Sequence, residues 1–225
     1  MRYSSLSEHA GLAMQYDLLA LHALRDVCPQ YIPWSDAALR PAAIQIAVNE
    51  IALNKCKVVV EFGCGISTLF LTERLSREGG HLVSFDHDAQ WISELSSRLT
   101  AAQRNVVTFI LAPLVASTYE ETVIDWYDSD VVHGALANLK LVDLVLVDGP
   151  PAYQKKFCLN RGPAIHHLRP VLAPNAAILL DDIHRQGEQH IANRWSELLG
   201  QQYRALTIEA GVAFWRLGLG FNTSQ

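Results

Sequence analysis

The sequence predicts a doubly wound α/β domain built on a mainly parallel sheet, with an antiparallel final strand and a helical appendage at the N-terminus. Three observations carry that expectation. Short apolar runs at 58–62, 81–85, 106–111, 142–147 and 176–180 suit strands covered on both faces. The segments between most of them carry apolar residues at helical spacing, so strands and helices alternate and neighbouring strands run parallel. The last two runs, 203–209 and 212–217, are separated only by a turn around Ala210 and Gly211, which reads as a tight antiparallel hairpin. A chain of 225 residues is long enough for one substantial core and fits a single domain.

Taken in order, residues 10–28 place Leu12, Tyr16, Leu19 and Val27 near helical spacing, ended by Pro29. The proline-broken segment 31–35 holds Tyr31 and Trp34, which either line a pocket or pack the first helix onto the body. A helix over 41–53 begins on Pro41, a residue suited to a first helical turn. After the strand at 58–62 comes a glycine turn, then a helix over 67–78 closed by Gly79-Gly80, where a left-handed cap is expected. Asp88 reads as the N-cap of a helix bearing Trp91, Ile92, Leu95 and Leu99 on one face. The pattern weakens from 114 to 139, apart from a short helix near 131–139. Trp126 and Tyr127 in that section either close over a ligand or pack on the sheet edge. Later helices are expected at 163–172, burying Ile165, Leu168 and Leu172, and at 188–199, carrying Ile191, Trp195, Leu198 and Leu199.

Composition narrows the function classes. Half the residues are hydrophobic and 18 % are charged, with 18 Lys plus Arg against 23 Asp plus Glu, for a net charge of −5. No basic block accompanies that balance, so nucleic acid and anionic membrane surfaces are not expected as partners. No stretch approaches the roughly 18 uncharged residues of a membrane span, and the apolar run at 18–24 is interrupted by His22 with no small-residue cleavage site after it. The expected location is the cytoplasm. Cys28, Cys56, Cys64 and Cys158 show neither zinc nor disulfide spacing and read as reduced, mostly buried thiols.

In an open parallel sheet, ligands bind beyond the carboxyl ends of the strands, where the strand order reverses. Four such ends carry polar or glycine residues: Glu61 to Gly65, Asp86, Asp148, and Asp181 with Asp182. Gly63 and Gly65 allow a tight turn and close backbone approach to a ligand, and Ser67 and Thr68 can cap the helix that follows. Asp86 follows Gly65 by about twenty positions, the interval at which a nucleotide-binding unit sets an acid on ribose hydroxyls. His166 and His167, adjacent on a helix, point about 100° apart and do not form a ligand pair. Lys155, Lys156 and Arg161 read as solvated loop charges, with attraction of an anionic substrate as the other reading.

The ordered set Glu61-x-Gly63-x-Gly65 with Ser67-Thr68, then Ser84-Phe85-Asp86-His87-Asp88, then Val147-Asp148-Gly149-Pro150-Pro151, then Leu180-Asp181-Asp182 with Arg185 resembles the class I S-adenosylmethionine-dependent methyltransferases. It is most similar to the branch named methyltransferase domain type 24, related to small-molecule O-methyltransferases, whose Arg-x-Pro-Ala segment resembles Arg161-Gly162-Pro163-Ala164. The resemblance implies a Rossmann-like sheet of seven strands over 41–218, preceded by an extension over 1–40 that could act as a lid and followed by a tail over 219–225. It further implies transfer of a methyl group from S-adenosylmethionine to a small molecule, at a hydroxyl oxygen.

By that likeness Glu61, Gly63, Gly65, Ser67 and Thr68 shape the amino-acid end of the cofactor pocket, Asp86 binds the ribose and His87 lies beside the adenine, with Asp148 bordering the cofactor. Asp148, Asp182 and His184 are the candidates for aligning and deprotonating the acceptor. Asp148, Asp181 and Asp182 are oxygen donors of the kind that hold magnesium or calcium in related enzymes. The chain departs from the catechol-type pattern by lacking an asparagine beside the second aspartate. A nucleotide-binding oxidoreductase is the competing reading, against which Thr68 stands where a third glycine is needed. An inactive methyltransferase fold serving as a binding module is another, and the apolar N-terminal helix could pair two copies.

Overall fold

The computed structural model describes residues 2–28, 32, 34–35, 37–139 and 141–223. Pro29, Tyr31 and Pro33 of the predicted linker lie outside the described residues. The chain opens with α1 (Arg2–Val27) and α2 (Pro41–Leu53), then runs β1 (Val58–Phe62), α3 (Ile66–Glu78), β2 (His81–Asp86), α4 (Ala89–Arg98), α5 (Ala101–Arg104) and β3 (Val107–Leu111). It continues through β4 (Leu114–Tyr119), β5 (Thr122–Tyr127), α6 (Ser129–Leu136), β6 (Val142–Val147), α7 (Ala164–Leu168), β7 (Leu172–Leu180), α8 (Gln186–Leu199), β8 (Arg204–Leu206) and β9 (Val212–Arg216).

Seven strands form one sheet in the order β3-β2-β1-β6-β7-β9-β8. Pairing is parallel from β3 through β7, and β9 is antiparallel to both its neighbours. The final strand is therefore antiparallel, as expected, but it lies inside the sheet while β8 forms the edge. Leu206 pairs with Val212, so the connection is longer than a tight hairpin turn. The strand order reverses between β1 and β6, which opens a crevice above their carboxyl ends.

The buried strand runs divide by parity. Val59, Leu144, Leu146 and Leu179 face α1, α2 and α3 in one core. Val60, Val145, Val147 and Ile178 face α7, α8 and the β4–β5 hairpin in the other. Alternate residues point to opposite faces, so both layers need apolar side chains, and this is the origin of the unbroken runs.

Several expectations are corrected. In α1 the inward stripe is Ala20 and Leu24, with Tyr16 and Val27 half-buried; Leu12 and Leu19 are exposed. Asp17 ion-pairs with Arg40 at 3.0 Å, and Arg40 also donates to the Ala13 and Ile208 carbonyls, which fixes the helix by polar contacts as well. Trp34 packs against Phe70, with ring centroids 6.3 Å apart. Residues 114–127 form an antiparallel hairpin, β4 with β5, which buries Tyr119, Trp126 and Tyr127. The helix expected at 163–172 stops at Leu168, because Pro170 lacks the N–H that would continue it, and Leu172 starts β7 instead. The tail is tied to α2: Asn54 pairs with both backbone groups of Phe221, and Thr223 donates to buried Glu50. Cys28, Cys56 and Cys64 are buried. Among the described residues, no helix is long and apolar enough to cross a membrane.

The crevice exists because two backbones meet beneath it. Phe62 offers its carbonyl to the N–H groups of Asp148 and Gly149, at 2.9 and 2.8 Å. A Cβ on Gly63 would lie 2.7 Å from the Gly149 nitrogen, and Gly63 holds φ at +88°. Gly63→Ala therefore combines a left-handed cost of about 1–2 kcal/mol with a backbone clash. Its thermal midpoint should fall by several degrees or more, whereas Gly65→Ala, which meets no protein atom within 4 Å, should melt close to wild type.

Candidate functional site

The crevice above β1, β2, β6 and β7 has a volume of about 330 Å³, at the lower end of the range for small-molecule sites. One wall carries Gly63, Gly65, Asp86, His87, Trp91 and Tyr127. The other carries Asp148, Gly149, Arg161, Asp181, Asp182 and Arg185, and Ser35, Ala37, Ala38 and Leu39 also line the crevice.

The first wall is organised by Glu61, which lies beneath the crevice. Its carboxylate is fully buried and accepts three hydroxyls, from Ser67 at 2.5 Å and from Thr68 and Ser84 at 2.6 Å. Burial pushes its carboxyl up to about 7, opposed by those three donors. Ser67 sits inside the first turn of α3, so its expected capping role is replaced by this one, whereas Thr68 at the third helical position does cap the helix start, accepting the Gly65 N–H at 3.0 Å. Since Gly65 is extended at φ −168° and a Cβ there would meet nothing, the fold itself places no demand for glycine at that position.

Asp86 ends β2. One carboxylate oxygen accepts the Cys64 N–H at 3.1 Å and the other the Asp88 N–H at 2.9 Å, which ties the glycine turn to the second strand. His87 Nδ1 lies 3.3 Å from the same carboxylate. Asp88 caps α4 through the Gln90 and Trp91 amides, as expected. Sequence periodicity placed Trp91 on one face of α4 with Ile92, Leu95 and Leu99, but the residue is 40 % exposed, lines the crevice and donates Nε1–H to the Cys64 carbonyl at 2.8 Å.

The second wall is an ion cluster. β6 and β7 pair Val147 with Leu180, so Asp148 and Asp181 emerge side by side. Asp182 follows at φ +62°, a strained conformation that aspartate tolerates better than most residues. Arg161, only 3 % exposed, binds Asp148 at 3.1 Å and Asp182 at 3.0 Å, approaches Glu188 at 3.7 Å, and donates to the Pro150 carbonyl at 3.3 Å. Arg185 reaches Asp182 at 2.6 Å. Burial, with Asp181 alongside, raises the Asp148 carboxyl well above the usual carboxylate range. Burial raises Asp181 to about 6 and Glu188 to about 7.

Arg161 thus corrects the expectation of a solvated loop charge, whereas Lys155 and Lys156 are exposed as expected. The misreading arose because the partners of Arg161 come from three separate segments. His184 is exposed and does not line the crevice, unlike Asp148 and Asp182. His166 faces solvent while His167 is half-buried and stacks on Trp126, with 6.1 Å between centroids.

The sequence model of the family described as methyltransferase domain matches residues 60–183, more than half of the chain, from within β1 through both walls of the crevice. The chain belongs to the methyltransferase domain family. Its substrate for group transfer is accordingly S-adenosylmethionine. Among solved structures, this methyltransferase is similar to a protein from Klebsiella pneumoniae with a provisional O-methyltransferase assignment, at 15 % identity and TM-score 0.54, with 90 % of each chain covered. It is also similar to the cofactor-bound protein Rv0187 from MTB, at 16 % identity and TM-score 0.54 over 87 % of each chain. These likenesses show a shared fold. No curated protein matches the chain.

The ion cluster gives this methyltransferase a defined pH response. Within it Asp181 and Glu188 have folded-state values above their ordinary ones, as does Glu61 in the opposite wall. Their stabilising contribution is therefore complete below about pH 4 and is lost as pH rises through 6 to 7. Removing the buried cation in Arg161→Met should cost about 3–5 kcal/mol at pH 8, and the deficit should narrow at pH 5.5 as the carboxyls take up protons. Denaturant melts of both proteins at the two pH values measure this; an equal deficit at both would contradict it.

Proposed function

We propose that the chain methylates a hydroxyl oxygen of a small molecule, with the cofactor along the first wall and the acceptor against the second. The observation that carries this is the division of the crevice. One wall offers glycine backbone and a carboxylate for a nucleoside diol, and the other offers clustered carboxyls with raised proton affinity.

In this reading Asp86 accepts the ribose hydroxyl protons, since each of its oxygens has capacity beyond its one backbone N–H. His87 and Trp91 flank the base. Gly63 and Gly65 leave room for the amino-acid end of the cofactor, while Glu61, Ser67 and Thr68 act as positioning residues beneath it. The methyl group is already activated on a sulfonium, so the protein has to align the acceptor and receive its proton. Asp148, which lines the crevice beside Asp181 and is held in place by Arg161, serves as the proton acceptor. Asp182, held by two guanidinium groups, positions the acceptor. His184 has no part in this arrangement. The extension over 1–40, from which Ser35, Ala37 and Ala38 line the crevice, acts as the lid, and the exposed Leu12, Leu18 and Leu19 of α1 provide the face through which a homodimer would form.

Asp148, Asp181 and Asp182 can each bring one oxygen within 4.8 Å of the others, as a hard cation requires. Arg161, however, already bridges Asp148 and Asp182 with a permanent, buried charge. That cation occupies an oxygen on two of the three carboxylates and repels a dication, so the donor set does not fit a resident metal and no step is routed through one.

Wild-type protein should bind S-adenosylhomocysteine in calorimetry, and Asp86→Ala should weaken that binding at least tenfold, corresponding to the loss of about 1.4 kcal/mol or more. Absence of wild-type binding, or unchanged affinity in the variant, would refute the assignment. Titrating metal-stripped protein with magnesium or calcium should give no saturable heat; a saturable signal abolished in Asp181→Asn would restore a metal to the cluster.

A further inference from the structure

Tyr127 carries a polar atom that the fold leaves unanswered. The ring is fully buried, stacked on Phe62 with 5.8 Å between centroids and set edge-on to Trp126 at 5.0 Å. The hydroxyl is equally buried and has no hydrogen-bond partner among the described residues, yet the residue lines the crevice. It sits where a Cβ on Gly149 would come within 2.5 Å of the hydroxyl oxygen, beside the contact between Gly149 and Gly63. His87, on the cofactor wall, has its ring centroid 6.5 Å away.

A buried phenol without a partner is costly, and native structures rarely keep one without a use. We propose that Tyr127 is a cofactor-specificity residue whose phenolic O–H donates to a ribose hydroxyl oxygen of bound S-adenosylmethionine. The inference rests on the placement of cofactor proposed above. Asp86 can take only the protons of the diol, which leaves the diol oxygens with acceptor capacity, and the phenol supplies the complementary donor. Burial, and the charge of Asp86 after it, raise the Tyr127 phenol well above its ordinary range, so it stays protonated and remains a donor. The ring is locked by Phe62 and Trp126, so the donor is held in place before ligand arrives, which lowers the ordering cost of binding.

Tyr127→Phe separates this role from packing, because it keeps the ring and removes only the orphaned hydroxyl. Without ligand, the variant should melt at or above the wild-type temperature. In calorimetry its affinity for S-adenosylhomocysteine should fall about five- to tenfold, while wild type and variant should bind a 2′,3′-dideoxy analogue alike. A lowered melting point without ligand, unchanged affinity for S-adenosylhomocysteine, or an equal loss toward both ligands would each overturn the proposal. If wild type binds S-adenosylhomocysteine and Asp86→Ala does not, while Tyr127→Phe binds like wild type, the cofactor placement stands and only the Tyr127 inference fails. If wild type shows no binding at all, the cofactor placement itself fails.

Discussion

A guanidinium buried among carboxylates sets the conditions for the whole second half of the crevice. Arg161 gathers Asp148 from the end of β6, Asp182 from beyond β7 and Glu188 from the first turn of α8. Such a cluster is weak evidence for stability, since removing charges from water costs nearly as much as their attraction returns. Its effect is geometric. Three segments are held to one centre just beyond the last backbone bond between β6 and β7, from the Asp181 N–H to the Val147 carbonyl, and carboxyls that would otherwise repel one another are kept side by side. Asn160, which accepts the Asp125 N–H and donates to the Pro151 carbonyl, fastens the loop that carries Arg161 to β5.

The first half of the crevice uses a different device for the same end. Glu61 collects three neutral hydroxyls from α3 and β2 rather than cations, so the helix start and the second strand are registered against β1 without a net exchange of charge. The two halves meet at the Gly63 and Gly149 backbones, which are too close for any side chain between them. Tyr127 lies under that seam. The hairpin that delivers it is thereby part of the floor of the site, although it belongs to a separate two-stranded sheet.

Much of this is legible in the sequence alone. Buried parallel strands must be apolar on both faces, so β1, β2, β6 and β7 announce themselves as unbroken runs. A residue that ends such a strand must be polar only if something polar meets it, which is how Asp86, Asp148 and Asp181 stand out. The β4–β5 hairpin was not legible, because a small sheet packed on a larger one shows neither unbroken apolarity nor clean alternation; β4 and β5 mix exposed and buried positions irregularly. α1 misled for a related reason. Its apolar residues surround much of the helix, and only packing against α2 and α3 selects the Ala20 and Leu24 stripe.

By itself the sequence determined the alternation of strands and helices, the glycine turn, the acid that follows it and the family to which those motifs belong. These are local facts, set by side-chain period and by backbone freedom at single positions. Only the tertiary structure decided that Arg161 is buried rather than solvated, that His184 faces away from the crevice, that Trp91 and Tyr127 line it, and that β9 inserts between β7 and β8. Each of those outcomes depends on partners distant in the chain. A charge, a ring or a hydroxyl has no orientation until the segments that answer it are folded around it.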